Sequence, residues 1–448
     1  MRQPMAPVDA AWLRMEDAAN LMMVTGVLLF DGRLDPGRLR AIVEERLLGF
    51  ERFRQRVEEP PLAIGVPQWV TDERFDIDAH LHHVALPEPA DKAGLERFVS
   101  DLLSTPLDFT KPLWQLHLVD HAGGSALVAR VHHCIADGIA LVRVLLSLTD
   151  TAARPRRRRA ADAQPPDGPT APWLLRASAQ LAQAGFGLVR DPARVTGAAG
   201  LGLGAAATLG RVALLPSDPP TALKGPLGVM KRAAWSEPIP LAEVKAAGAH
   251  AGGTINDVLV AAAAGGLRRY LSGRGEDVGG LEVRAAVPIN LRPLDEAARL
   301  GNQFGLVFLA LPLGVEDPVE RLAQVKSRMD ELKSSLQPAV AYGVLHSIGY
   351  LPGPLQPLPV RFFGSKATLV LTNVPGPREQ LFLAGEPLRR VMFWVPQSGR
   401  LGVGVSILSY AGEVMVGVAS DAGLVPDPQG IVEGFEAELA ALLASTPR

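Results

Sequence analysis

The chain has a single cysteine, Cys134, in 448 residues. One thiol cannot close an internal disulfide or build a cysteine-rich metal site, so cohesion must come from an apolar core. That usage suits a reducing cytoplasm. No apolar run reaches the roughly 20 residues that cross a bilayer. The nearest approach, Val195 to Gly210, is uncharged but broken by Gly197, Gly200, Gly202 and Gly204. The start, Met1-Arg2-Gln3-Pro4-Met5, lacks the charged-then-apolar pattern of a secretory leader. Neither sign of charge dominates: 45 Lys and Arg against 47 Asp and Glu leave a net charge of -2, which gives no global basic field for nucleic acid.

What is present is enough hydrophobic material (48%) and enough length for two domains with full cores. Residues 1 to 150 read as one mixed α/β unit. Met22 to Phe30 is a strand ending in Asp31-Gly32, and Pro36 to Leu48 is a helix with Leu39, Ile42, Val43 and Leu47 on one face. Trp114 to Val119 and Ala126 to His133 read as strands joined by a hairpin over Asp120 to Gly124. Residues 151 to 220 read as a crossover linker. The run Arg154 to Arg159 precedes an Ala/Pro-rich stretch, and Trp173 to Val189 can form an apolar helix. This region is either a solvated connection with a packed helix or a lipid-surface patch, its arginines facing anionic headgroups. A second mixed unit, residues 221 to 448, contains a helix over Thr254 to Tyr270, a strand over Leu281 to Pro288, a helix opened by Asp317-Pro318, and a hairpin around Tyr410-Ala411-Gly412.

The most informative segment is His132-His133-Cys134-Ile135-Ala136-Asp137-Gly138, at a strand-to-helix junction. A neutral imidazole at such a mouth can take a proton from a hydroxyl. The alternatives from the residues alone are a satisfied core histidine or a metal site. Adjacent histidines on a strand point to opposite faces, which disfavours one shared ion. Along the strand, Leu127, Ala129, Val131 and His133 share one parity, Val128, Arg130 and His132 the other; His133 therefore continues an inward row while His132 faces the other side. Asp137 can accept backbone or arginine hydrogen bonds, and Gly138 lets the chain bend or approach closely. The other pair, His82-His83, is followed by no acid and carries no expected role.

The His132 to Gly138 segment resembles the HHxxxDG signature of CoA-dependent acyltransferases and condensation domains. Pro112-Leu113-Trp114, Asn256-Asp257-Val258, Val287 to Arg292, Thr372 to Pro377 and Ser406 to Tyr410 follow in an order similar to the bacterial wax ester synthase/diacylglycerol acyltransferase family. Cys134 departs from the family's usual Ala, and a small buried thiol fits there.

The resemblance implies an α/β fold of two chloramphenicol-acetyltransferase-like halves packed side by side, with a tunnel between them. It implies acyl-CoA as co-substrate, diacylglycerol or a long-chain alcohol as acceptor, and no metal or cofactor. His133 would be the general base, His132 its motif neighbour, and Asn256 either an oxyanion donor or a helix cap. Asp137, Gly138 and Asp257 would support the site, with Arg292 as the candidate partner of Asp137. Pro112, Leu113 and Trp114 would be core or tunnel wall. Peripheral contact with the inner face of the membrane or with lipid inclusions is expected of such an enzyme. A carrier-protein-bound acyl donor, and a lipid-surface protein that has lost the chemistry, are the alternatives.

Overall fold

Two mixed sheets and the helices around them are described by a computed structural model over residues 2–61, 65–153, 210–250, 252–291, 300–333, 337–351, 355–397 and 399–445. The run Arg154 to Arg159 and the segment Trp173 to Val189 lie outside these residues, as does Arg292. The first sheet has six strands in the order Phe382–Leu383, Glu386–Trp394, Met23–Phe30, Gly124–His132, Trp114–His121 and Leu81–Ala85. The second runs Phe304–Pro312, Glu282–Asn290, Leu369–Pro375, Val403–Tyr410, Glu413–Asp421 and Lys231–Trp235, with Ile239–Pro240 also paired to Glu413–Asp421. A small third sheet joins Arg2–Pro4, Gln68–Thr71 and Gln55–Glu58.

The two halves of the chain do not keep to separate sheets. Glu386–Trp394 leaves the C-terminal half and pairs antiparallel with Met23–Phe30, placing Trp394 opposite Thr25 and Val391 opposite Leu28. In return, the N-terminal helix Lys92–Ser104 covers the edge strand Lys231–Trp235. Its Ser100 and Ser104 hydroxyls accept the Ala233 and Lys231 N–H groups at 2.9 and 2.8 Å. These hydroxyls satisfy donors that an open edge would leave to solvent or to another chain.

The expected elements form, with adjustments at their ends. The hairpin strands are longer than expected, Trp114–His121 and Gly124–His132, because the turn is tight and Gly124 adopts φ 125°. Around Tyr410, Ala411 and Gly412 take φ 48° and 87°, the left-handed pair of a two-residue hairpin loop. The helix from Pro36 widens after Ile42 and continues as a π-turn over Val43–Leu47. The two parities read for Ala126 to His133 separate two cores rather than core and solvent. Leu127, Ala129 and Val131 join the main N-terminal core, but Ala126 and Val128 are buried too, against Leu95, Val99 and Leu102. The helix Lys92–Ser104 covers the second face, so parity does not separate core from solvent there.

Helix Ile255–Gly273 opens on a capping box in which Thr254 and Asp257 satisfy each other's backbone N–H groups. It packs on the C-terminal helix Gln429–Ala444 so closely that a methyl added at Gly266 would lie 2.7 Å from the Phe435 nitrogen and 3.0 Å from the Ile431 carbonyl. Backbone cannot yield as a side chain can. Gly266→Ala is therefore expected to destabilise the protein by about 1–3 kcal/mol, read as a lower urea midpoint with unchanged slope. An unchanged midpoint would show that the helices separate freely.

Candidate active site

The motif loop is held by backbone bonds from both halves. His133 N–H donates to the Met22 carbonyl at 2.7 Å, and Ile135 N–H to the His132 carbonyl at 3.0 Å. Asp137 N–H reaches the Gly301 carbonyl at 3.3 Å, and Gly301 N–H returns to Ile135 at 3.2 Å. The Asp137 side chain caps helix Gly138–Ser147 by accepting Ala140 N–H at 2.9 Å, while its other oxygen accepts Gln303 N–H at 3.2 Å. Asp137 therefore supports the site by joining the two halves. Gly138 lines the cavity, and its backbone needs no left-handed conformation. A methyl there would meet Val395 at an ordinary 3.4 Å, so the sharp-bend reading of this glycine is not required.

The two histidines part company. The His132 ring is fully buried; its Nδ1 accepts Cys134 N–H at 3.0 Å, and its Nε2 lies 3.1 Å from the Glu16 carboxylate. Through its Nδ1, His132 anchors the loop. The His133 ring lies against Trp12, with centroids 4.0 Å apart and planes at 23°, and Phe304 is 5.5 Å away. Burial pushes the His133 imidazole down to about 4; Asp137 acts the other way and His132 adds to the lowering. The ring is therefore neutral at physiological pH, the form that can accept a proton. Burial pushes the Cys134 thiol well up, so it stays protonated and is no nucleophile.

His133 faces a cleft of about 1090 Å³, counted to its open mouth, between the two halves. Asp137, Gly138 and Trp12 line its first wall; Asn256, Asn290 and Asn373 come from the second half. Thr254, not Asn256, caps the helix, so the cap reading of Asn256 falls away. Its Oδ1 accepts the Asn373 amide at 2.7 Å, and its own Nδ2 has only the Met329 sulfur at 3.9 Å. Asp257 is fully buried and bonded to Thr254, a supporting role. Pro112, Leu113 and Trp114 brace the site from behind. The Leu113 carbonyl accepts His132 N–H at 2.9 Å, and the Trp114 indole donates to the Phe53 carbonyl at 2.8 Å. The tunnel-wall reading of these three is thereby corrected to core. His83 pairs with Asp120 on the surface, away from this chemistry.

Sequence reasoning missed Trp12, Asp9, Asn302 and Phe304. The Asn302 amide donates to Asp9 at 2.7 Å and to the His133 carbonyl at 2.8 Å, and its backbone N–H reaches the same Asp9 oxygen at 3.1 Å. Asp9 and Trp12 sit one turn apart on the helix Pro7–Arg14, the only local hint that they act together.

The fold is that of two chloramphenicol-acetyltransferase-like halves. It superposes on a wax ester synthase/diacylglycerol acyltransferase from Marinobacter aquaeolei VT8 with a TM-score of 0.71, 23% identity, and coverage of 99% of this chain and 100% of that one. It also matches the first condensation domain of the calcium-dependent antibiotic synthetase at a TM-score of 0.64 and 17% identity, covering 100% of this chain and 97% of that one. Residues 5–259 match the wax ester synthase/diacylglycerol acyltransferase catalytic domain, and residues 300–443 the family's C-terminal domain. A putative diacylglycerol O-acyltransferase of Mycobacterium bovis is 30% identical over 98% of this chain and 96% of its own length. Another, of Mycobacterium tuberculosis, is 31% identical over 97% of this chain and 89% of its own. The chain belongs to the wax ester synthase/diacylglycerol acyltransferase family, and it is an acyltransferase.

Burial pushes the Asp9 carboxyl up to about 7, with the Asn302 bonds opposing. Unfolded, it would lose its proton near 3.8. Between those values the folded state holds the extra proton, so stability falls as pH rises through the window. Asp9→Asn removes this titration. The variant should gain on the parent as pH rises from about 4 to about 8, by on the order of 4 kcal/mol, read from paired urea midpoints. A difference independent of pH would place the Asp9 pKa at its ordinary value.

Proposed function

We propose that the protein moves a long-chain acyl group from acyl-CoA to the hydroxyl of diacylglycerol or a fatty alcohol, with His133 as general base. The observation that carries this reading is the neutral, buried His133 ring at the wall of a cleft that both halves build. The ring takes the hydroxyl proton as the alcohol oxygen attacks the thioester carbonyl. The bond from carbonyl carbon to sulfur then breaks, and the imidazolium returns the proton to the departing CoA thiolate. No acyl-enzyme forms, and the thioester supplies the driving force without a metal or cofactor. The Asn256 amide, oriented by Asn373, donates to the oxyanion of the tetrahedral intermediate.

A second, strongly apolar chamber of about 890 Å³ shares Trp12, Phe304 and Leu306 with the first and offers room for an acyl or alkyl chain. Because the acceptor is a lipid, the enzyme works at a phospholipid or lipid-inclusion surface by peripheral contact. Among the described residues no helix is long and apolar enough to cross a membrane.

The test is ester formation from labelled long-chain acyl-CoA with diacylglycerol and with a long-chain alcohol. His133→Ala should fold normally and lose about 10²–10⁴-fold in rate. Asn256→Ala should lose about a hundredfold in kcat. Full activity in His133→Ala would remove the general base from the account.

A further inference from the structure

Two helices, Gln337–Ile348 and Pro357–Gly364, form a wall of the apolar chamber through Val340, Val344, Ile348, Val360 and Phe363. Their surroundings are also apolar on the outside. Leu358 is 63% exposed and Phe362 45%, one turn apart on the short helix, and Tyr350 and Leu355 are exposed between the helices. Leu214, 84% exposed, stands beside them, since Lys366 Nζ donates to the neighbouring Leu215 carbonyl and its ammonium lies 4.6 Å from the Phe362 ring centre. Large apolar side chains grouped this way in water mark a binding surface.

Charge identifies what covers it. From Leu332 to Arg378 the chain has no Asp or Glu, but carries Lys333, Arg361, Lys366 and Arg378. Arg361 is exposed within the patch, and Arg211 is exposed on the segment that holds Leu214. Apolar tips flanked by the exposed Arg361 and Arg211, on a stretch of chain that carries no acid of its own, suit a layer that is apolar inside and anionic at its headgroups.

We propose that the face made by Leu214, Tyr350, Leu355, Leu358 and Phe362 is the surface by which this protein docks on an anionic phospholipid membrane. Docking there sets the apolar chamber about one helix thickness, roughly 10 Å, from the lipid. The inference rests on the lipid-acceptor reading above and assigns its membrane contact to this face; the 154–189 segment, which the sequence offered as one alternative, lies outside the described residues.

The experiment compares the full-length parent with Leu358→Glu/Phe362→Glu and with Arg361→Ala. Each is sedimented with vesicles of phosphatidylcholine alone or with added phosphatidylglycerol, and each is assayed on hexanol in solution and on diacylglycerol in the vesicles. The parent should bind the anionic vesicles more tightly than the neutral ones. The double variant should bind the anionic vesicles at least about a hundredfold more weakly, and Arg361→Ala about fivefold. Vesicle-borne diacylglycerol turnover should fall in parallel, with hexanol turnover unchanged. Hydrogen exchange of the unmodified parent gives a variant-free check: vesicles should slow exchange across residues 355–362. Parent-like vesicle binding by the double variant, no binding by the parent, or no protection over 355–362 would each overturn the docking face. Failure of every protein to acylate any acceptor would sink the enzymatic reading instead, with the sedimentation result standing on its own.

Discussion

The contact between the His133 ring and the Trp12 indole governs the site. A ring pressed against an indole and flanked by Phe304 is buried, which disfavours its positive charge and pushes its pKa down. In the empty site this makes a weak base. In the proposed reaction the imidazolium never stands alone, because the tetrahedral oxyanion forms as the proton moves. The two charges appear together in a poorly screened space, where their attraction offsets much of the burial penalty. The same burial keeps the neighbouring thiol of Cys134 protonated.

The rest of the fold serves that seam. Asp137 and Asn302 each bond across it, one to the Gln303 backbone and the other to the His133 carbonyl and Asp9. The exchanged strand Glu386–Trp394 and the hydroxyl-bonded edge strand Lys231–Trp235 tie the halves further from the cleft. A displacement of one half would move Asn256 and Asn373 relative to His133. The polar contacts across the seam therefore fix the geometry that the proposed reaction uses.

Much of this was legible in the sequence where the signal is local. Alternation marked a strand over Ala126 to His133, and the His-His-x-x-x-Asp-Gly spacing marked its functional end. Thr254 to Asp257 carries a capping box within four residues, although the sequence reading offered Asn256 as the cap. The signal fails where partners are distant. Trp12 precedes His133 by most of a domain, and no periodicity links them. His132 resembles a catalytic partner in one dimension, and only Glu16 and the Cys134 amide show it to be an anchor. Trp114 reads equally as wall or core until its indole is seen on the Phe53 carbonyl. The parity rule misled at Val128 because a helix from elsewhere in the half buries the second face.

The central claim is that His133 stays uncharged in its pocket at physiological pH. The most direct measurement is an NMR titration of ring-labelled histidines, with the His133 signal assigned by its absence in His133→Gln. The account predicts that this ring remains neutral as pH falls through 6 and protonates near 4. A midpoint at or above the ordinary 6.5 would show a solvated, charge-ready ring and would contradict it.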